Sequence, residues 1–357
     1  MTHHTTGRRL QTATTIDALV TQGLVSEPDR TDLDAVAERY AVAVPAAMAA
    51  LIEGAGDTDP IALQIVPSNK ELTTTPEERA DPIGDFAHNP VPGVVHRYPD
   101  RVLLKVHSAC AVYCRFCFRR EMVGPGGDYM SDTDINAALS YIRAHTEIWE
   151  VILTGGDPLV LSPKRLTSIL HALDAIDHVQ IVRVHTRLPV AAPERITDEL
   201  VDVFTQRRAT VYVAVHTNHA KELSVAAVAA CERLTKAGIP LVGQSVLLKG
   251  VNDNADTLEA LFRAMVKARI KPYYLNHPDL APGTSHFRVS FDTGQRLMKD
   301  LRGRISGLCL PTYILDIPGG YGKVPVGPTY LQLAGDGTAV VEDINSTRHA
   351  YPPENSI

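Results

Sequence analysis

Three of the five cysteines fall within eight residues, in the run Cys110-Ala-Val-Tyr-Cys114-Arg-Phe-Cys117. Three thiolates can hold three irons of a cubane iron–sulfur cluster and leave the fourth iron open, whereas an electron carrier closes its cluster with four cysteines. A zinc site wants a fourth ligand nearby, and this spacing is not that of paired C-x2-C knuckles. An odd cysteine count without a secretory leader argues against a disulfide framework. The other two cysteines read as core: Cys231 shares a helical face with Val225, Val228 and Leu234, and Cys309 sits between two leucines.

The elements that must position these thiols follow from hydrophobic patterning. The chain has 357 residues, 45% hydrophobic and 21% charged, with a formal net charge of −6. That composition buries a sizeable core and lacks the basic excess of a dedicated nucleic-acid binder. The longest apolar stretch, near residues 42–52, contains Pro45 and is too short to cross a membrane. A cytoplasmic location is the expectation. Residues 1–30 read as a frayed tail, and 31–54 as two helices, the second over 45–52. Residues 56–100 are rich in Pro, Asp, Thr and Gly and read as a long ordered wrap, a candidate cover for a site. Short β-type runs then recur at 102–106, 151–153, 179–184, 210–215, 241–247 and 270–275, alternating with helix-like stretches such as 223–237 and 256–268. Strand-like runs at 311–317, 329–333 and 339–343 close the chain. Six strands alternating with helices predict a parallel α/β array whose chemistry gathers at the strand C-termini. The cysteines fall on the first strand-to-helix loop, and Gly155-Gly156-Asp157-Pro158 falls on the second. The expected division is 1–95 (helical and wrapping), 96–310 (barrel) and 311–357 (C-terminal extension).

The C-x3-C-x2-C spacing, with Tyr113 and Phe116 between the thiols, resembles the radical S-adenosylmethionine superfamily. That resemblance implies a partial (β/α)6 barrel and a [4Fe-4S] cluster whose open iron chelates S-adenosylmethionine. It also implies that the backbone at Gly155, Gly156 and Asp157 contacts the methionyl amino group. A narrower resemblance covers residues 55–330. It rests on Arg97-Tyr-Pro-Asp-Arg101, Cys114-Arg-Phe-Cys-Phe-Arg-Arg120, Gln244-Ser-Val-Leu-Leu-Lys-Gly-Val-Asn-Asp253, Lys271-Pro-Tyr-Tyr274 and Pro318-Gly-Gly-Tyr-Gly-Lys323. Together these look like lysine 2,3-aminomutases, which use pyridoxal 5′-phosphate as well and move an amino group between adjacent carbons.

The family resemblance assigns roles that elementary chemistry can check. Pyridoxal phosphate needs an imine-forming lysine, and Lys323 matches it as the catalytic lysine behind a glycine-rich approach. The cofactor phosphate needs cations and hydroxyls, and Arg97, Tyr98 and Arg101 match. Gln244 matches a position near the adenosyl group. The substrate α-carboxylate wants an arginine, matched by Arg119. The distal ammonium of lysine must be paired inside a closed site, and Asp279 and Asp316 match the carboxylates that read it. Arginine would also fit two acids. Some longer members carry a zinc site, but Asn254 stands where one of its cysteines would, so no structural zinc is expected. The resemblance therefore implies an isomerase converting L-lysine to β-lysine through a 5′-deoxyadenosyl radical, fed by an external one-electron reductant. Partners are a small amino acid and the reductant, with neither nucleic acid nor membrane, and a homo-oligomer left open. The same chemistry could serve elongation factor P modification. An iron–sulfur electron-transfer protein, or a metal-stabilised binding module, is the reading from another class.

Overall fold

The computed structural model describes residues 11–54, 56–334 and 337–353; the first ten residues of the expected tail lie outside them. One nine-stranded sheet organises the chain: β1 (Val94–Tyr98), β2 (Arg101–His107), β3 (Glu150–Gly155), β4 (Ile181–Thr186), β5 (Thr210–His216), β6 (Leu241–Val246), β7 (Ile270–Asn276), β8 (Thr312–Ile317) and β9 (Gly322–Pro325). Spatial order equals sequence order. Strands β2 to β8 run parallel, and β1 and β9 add antiparallel edges. The sheet curls into a nearly closed barrel whose two edges meet through side chains. The Lys323 N–H donates to the Tyr98 hydroxyl at 2.6 Å, and Arg97 donates to Asp316 at 2.8 Å.

Period-2 alternation sorts each strand's residues to two faces. On one face Val102, Leu104, Val106, Val151, Leu153, Val182 and Val184 are buried in the main apolar core. The alternate residues Leu103, Glu150, Ile152, Thr154, Arg183 and His185 line a cavity inside the barrel. Among the helices, α1 (Ile16–Thr21), α2 (Arg30–Arg39), α3 (Ala46–Ala49) and α4 (Ala62–Ile65) precede the sheet. Then come α5 (Asp132–Ala144), α6 (Pro163–Asp174), α7 (Leu188–Ala191), α8 (Asp198–Asp202), α9 (Val225–Lys236), α10 (Ala255–Lys267) and α11 (Phe291–Arg304). The long ones present apolar stripes to the sheet, for example Leu258, Leu261, Phe262 and Met265 of α10. Ser131, Ser162, Ser224, Asn254 and Ser290 each accept a backbone N–H as N-caps. Asn254, which the family resemblance sets against a zinc cysteine, is the cap of α10. Cys231 and Cys309 are core residues, 0% and 6% exposed.

Four expectations are corrected. Residues 11–30 are not frayed: Thr15 caps α1, and Ile16 and Leu19 are buried against the N-terminal core. The second N-terminal helix is only α3, because Leu51 and Ile52 donate to residues three back and the turn tightens. The wrap contains a strand, β1, joined to β2 by a Pro99-Asp100 turn that pairs Tyr98 with Arg101. Its two apolar residues, Val94 and Val95, were too few to give a periodic signal. The boundary expected after residue 310 does not divide the sheet, since β8 and β9 continue it and carry Asp316 and Lys323. A separate three-stranded sheet follows, β10 (Leu331–Leu333), β11 (Ala339–Glu342) and β12 (Arg348–Tyr351).

Candidate active site

A cavity of about 480 Å³ opens inside the barrel. Its wall brings together Arg97, Tyr98, Arg101, Cys114, Cys117, Arg119, Gln244, Asp279, Asp316 and Lys323. These residues span more than 220 positions of chain, so their convergence is the work of the barrel. Cys110, Gly155, Gly156 and Asp157 are not on that wall; they form the layer that supports it.

The cysteine loop follows β2. The Cys117 N–H donates to the Cys114 carbonyl at 3.0 Å, and the Arg187 Nη1 donates to Cys114 Sγ at 2.8 Å. Burial, then the neighbouring Cys114, pushes the Cys117 thiol up to about 11. Burial also raises Cys110, with Cys117 and Cys114 close enough to add to it. Thiols ligate metals as thiolates, so these three need a positive centre to take over from their protons. Among the described residues no three such side chains gather around a single ion. A cubane takes each thiolate on a different iron, a demand that three thiols spread along one loop can meet. The loop is anchored by its own arginines. Glu71 accepts from Arg115 Nε at 2.9 Å and Nη2 at 2.6 Å, and also pairs with Arg120. All three side chains are at most 1% exposed. Arg120 is therefore a structural residue, stacked 3.6 Å over the Tyr40 ring.

The second loop packs directly on the first. The Gly156 N–H donates to the His107 carbonyl at 2.7 Å and the Asp157 N–H to that of Ala109 at 2.9 Å. A Cβ at Gly156 would overlap the Ala109 carbonyl, which is why glycine is required. Those N–H groups are committed, so an amino group bound here would have to use carbonyl oxygens, the acceptors it needs. The Asp157 carboxylate accepts from Thr186 Oγ1 at 2.7 Å and from the Arg187 and Leu188 N–H groups at 2.8 and 3.1 Å. It ties the β3 and β4 loops together and thereby places Arg187. Gln244 lies on β6 with Nε2 3.5 Å from His185 Nε2. Burial drives both His185 and His216 far below the usual range, His216 to about 3, so both imidazoles are neutral at pH 7.

The opposite wall is a ladder of alternating charges. Lys323 pairs with Asp316 Oδ2, and Asp316 Oδ1 accepts from Arg97 Nη1 at 2.8 Å. Arg97 Nη2 donates to Asp85 Oδ1 at 2.9 Å, and Asp85 Oδ2 accepts from Arg119 Nη2 at 3.0 Å. Asp279 stands on the same wall, where burial raises its carboxyl to about 7 against the pull of Lys323. Arg101 stacks 3.7 Å over the Tyr98 ring, and Gly322 lets the backbone pass so close to that hydroxyl that a Cβ would lie 2.9 Å from it. A lysine amine, the Arg101 guanidinium and a phenol on one wall fit an aldehyde cofactor with a phosphate tail, whereas Arg97, expected on the same phosphate, gives both Nη groups to Asp85 and Asp316. Sequence reasoning missed Asp85, Arg187 and the buried partners of Arg187, namely Glu222 at 2.8 Å and Gln64 at 2.6 Å. None lies in a chemically suggestive motif, although Arg187 does follow a strand end.

A parallel α/β barrel with three clustered thiols on its first loop defines a radical S-adenosylmethionine enzyme, and residues 104–261 match the Radical SAM superfamily model. Residues 298–357 match the model described as Lysine-2,3-aminomutase. An L-lysine 2,3-aminomutase of Clostridium subterminale is 42% identical over 281 residues, 79% of this chain and 67% of that protein. One of Escherichia coli (strain K12) is 37% identical over 288 residues, covering 80% and 83%. A glutamate 2,3-aminomutase of Clostridioides difficile is 37% identical over 322 residues, covering 90% and 76%. The chain belongs to the lysine 2,3-aminomutase family. It is an isomerase of the radical S-adenosylmethionine class, with the family's [4Fe-4S] cluster, S-adenosylmethionine and pyridoxal phosphate as cofactors and a small amino acid as substrate. No helix among the described residues is long and apolar enough to cross a membrane.

Proposed function

We propose that this chain interconverts L-lysine and β-lysine. The observation that carries the reading is the presence of two carboxylates, Asp279 and Asp316, on the wall that also holds Lys323 and Arg119. A distal ammonium entering this cavity needs an anion, because an unpaired buried charge is too costly to keep. A γ-carboxylate there would be repelled by the same two acids.

The three thiolates of Cys110, Cys114 and Cys117 would hold the cluster, Gln244 and the Gly155–Asp157 backbone would border S-adenosylmethionine, and Tyr98, Arg101 and Lys323 would hold pyridoxal phosphate. When bound, these groups supply a hydrogen-abstracting carbon radical and a carrier for the migrating nitrogen. Arg119 binds the substrate α-carboxylate through its planar fork. Asp279, losing its proton to solvent, and Asp316, left without its Lys323 pairing once that amine holds the cofactor, would pair the distal ammonium. Ile83, Phe116, Phe118 and Val246 supply apolar wall that excludes water and stray hydrogen donors. An external one-electron reductant and a cytoplasmic setting complete the reading.

The test is anaerobic reconstitution with iron, sulfide and pyridoxal phosphate, then incubation with dithionite, S-adenosylmethionine and either L-lysine, L-arginine or L-glutamate. β-Lysine as the main product by NMR is expected. A β-amino acid from glutamate alone, or no product from any of the three, would overturn the substrate assignment.

A further inference from the structure

Asp85 is the carboxylate on which Arg97 and the substrate anchor Arg119 converge. It is 1% exposed, and its two oxygens serve different arginines. Oδ1 accepts from Arg97 Nη2 at 2.9 Å; Oδ2 accepts from Arg119 Nη2 at 3.0 Å and Nε at 3.3 Å. Arg97 carries the connection onward, donating Nη1 to Asp316 at 2.8 Å. Burial pushes the Asp85 carboxyl up, but Arg119, Lys105 and Arg97 around it outweigh that and hold it below the usual range. It is an anion in a pocket of cations.

The position of Asp85 is set by the fold. Asp81 accepts the Asp85 N–H at 2.9 Å and the Phe86 N–H at 2.8 Å, closing a tight turn. Gly84, at φ +72°, has no room for a Cβ against Gly319 and Gly320, and Gly320 is equally close to His88. Residues 81–88 are therefore docked on the loop that leads to Lys323. The carboxylate reaches from there to the arginine just beyond the cysteine motif. It joins parts of the site that the sequence separates by up to 231 residues, from Asp85 to Asp316.

We infer that Asp85 is a positioning residue for the amino acid substrate. It orients Arg119 toward the α-carboxylate. The inference deepens the lysine reading and rests on it. A guanidinium bonded through Nε and Nη2 on one side keeps its remaining edge aimed in one direction. Without Asp85 the Arg119 guanidinium keeps, among the described residues, one hydrogen bond, to Thr154 Oγ1 at 3.4 Å, and the Phe118 ring 4.4 Å away, neither of which fixes the direction of its fork.

The experiment compares L-lysine with L-lysinamide, which lacks the carboxylate charge, as ligands of the reconstituted holoenzyme. Binding is read from the visible spectrum of the bound pyridoxal phosphate. In Asp85→Asn, affinity for lysine should fall about 10- to 100-fold, the scale of a lost charged hydrogen bond, while lysinamide changes by less than about threefold. In an Arg119→Met background the same substitution should add no further loss for lysine, because Asp85 acts through that arginine. Equal losses for both ligands, or undiminished lysine preference, would overturn the inference. If Asp85→Asn takes up no pyridoxal phosphate, the smaller Asp85→Ser replaces it, and failure of both would make Asp85 a folding residue and overturn the inference too. A wild-type protein that binds no lysine sinks the lysine reading itself, and this inference falls with it.

Discussion

Replacing Glu71 by glutamine should loosen the cysteine loop, and the size of the effect follows from its burial. Among the described residues Glu71 is the one carboxylate facing both Arg115 and Arg120, with side-chain exposures of 0%, 1% and 0%. Glutamine keeps the shape but removes the charge, leaving two buried guanidiniums without a counterion. Breaking a buried pair in this way costs about 3–5 kcal/mol. An unfolding entropy of about 2.1 cal/mol/K per residue over a chain of this length gives roughly 0.75 kcal/mol/K, so the melting temperature should drop by about 4–7 °C. The damage should concentrate where Arg115 sits, between Cys114 and Cys117, and iron uptake on reconstitution should fall with it. The assay is an anaerobic thermal melt of the apo protein by circular dichroism, paired with iron content after reconstitution. A further variant sharpens the sign: Glu71→Gln with Arg115→Met and Arg120→Met should be more stable than Glu71→Gln alone, since it removes the stranded charges. A melting shift below about 1 °C with full iron uptake would refute the reasoning, as would a triple variant less stable than the single one.

Two further outcomes are expected. Asp279, raised by burial to about 7, is mostly protonated at pH 6 and cannot then pair a cation. Lysine affinity should therefore rise by about tenfold per pH unit up to about pH 7 and level off above it. Titrations from pH 5.5 to 8.5 should show that step in the wild type and lose it in Asp279→Asn. Gly156→Ala should cut iron incorporation sharply, because its Cβ overlaps the Ala109 carbonyl and must push the cysteine loop away. Normal iron content and absorbance in that variant would count against the loop packing described above.

The sequence already held whatever is local or motif-borne. Three thiols within eight residues signal a cluster because ligands on one loop need only spacing, and spacing is visible in a string. The six β runs were legible because apolar alternation and length report on a strand irrespective of its neighbours. Lys323, Arg119, Asp279 and Asp316 were legible through the family's motifs, and the fold brings them to one wall. Less of the periphery could be read. The seventh parallel strand, β8, looked like an appended run, since a strand's partner is not written in its own residues. The edge strand β1 holds too few apolar positions for a pattern to show.

Only the tertiary structure decided which charges meet. Forty-one acidic residues compete in the sequence for partners, and nothing near Asp85 or Glu71 marks them as special. Glu71 reaches Arg115 and Arg120 across 44 and 49 residues, and Asp85 reaches Arg119 across 34. An ion pair forms at about 3 Å and its energy depends on burial, so it exists only once the chain path has brought both groups out of water. The sequence determined the reactive groups and the strands that carry them. The closing of the barrel, edge to edge between Tyr98 and Lys323, decided how those groups are held.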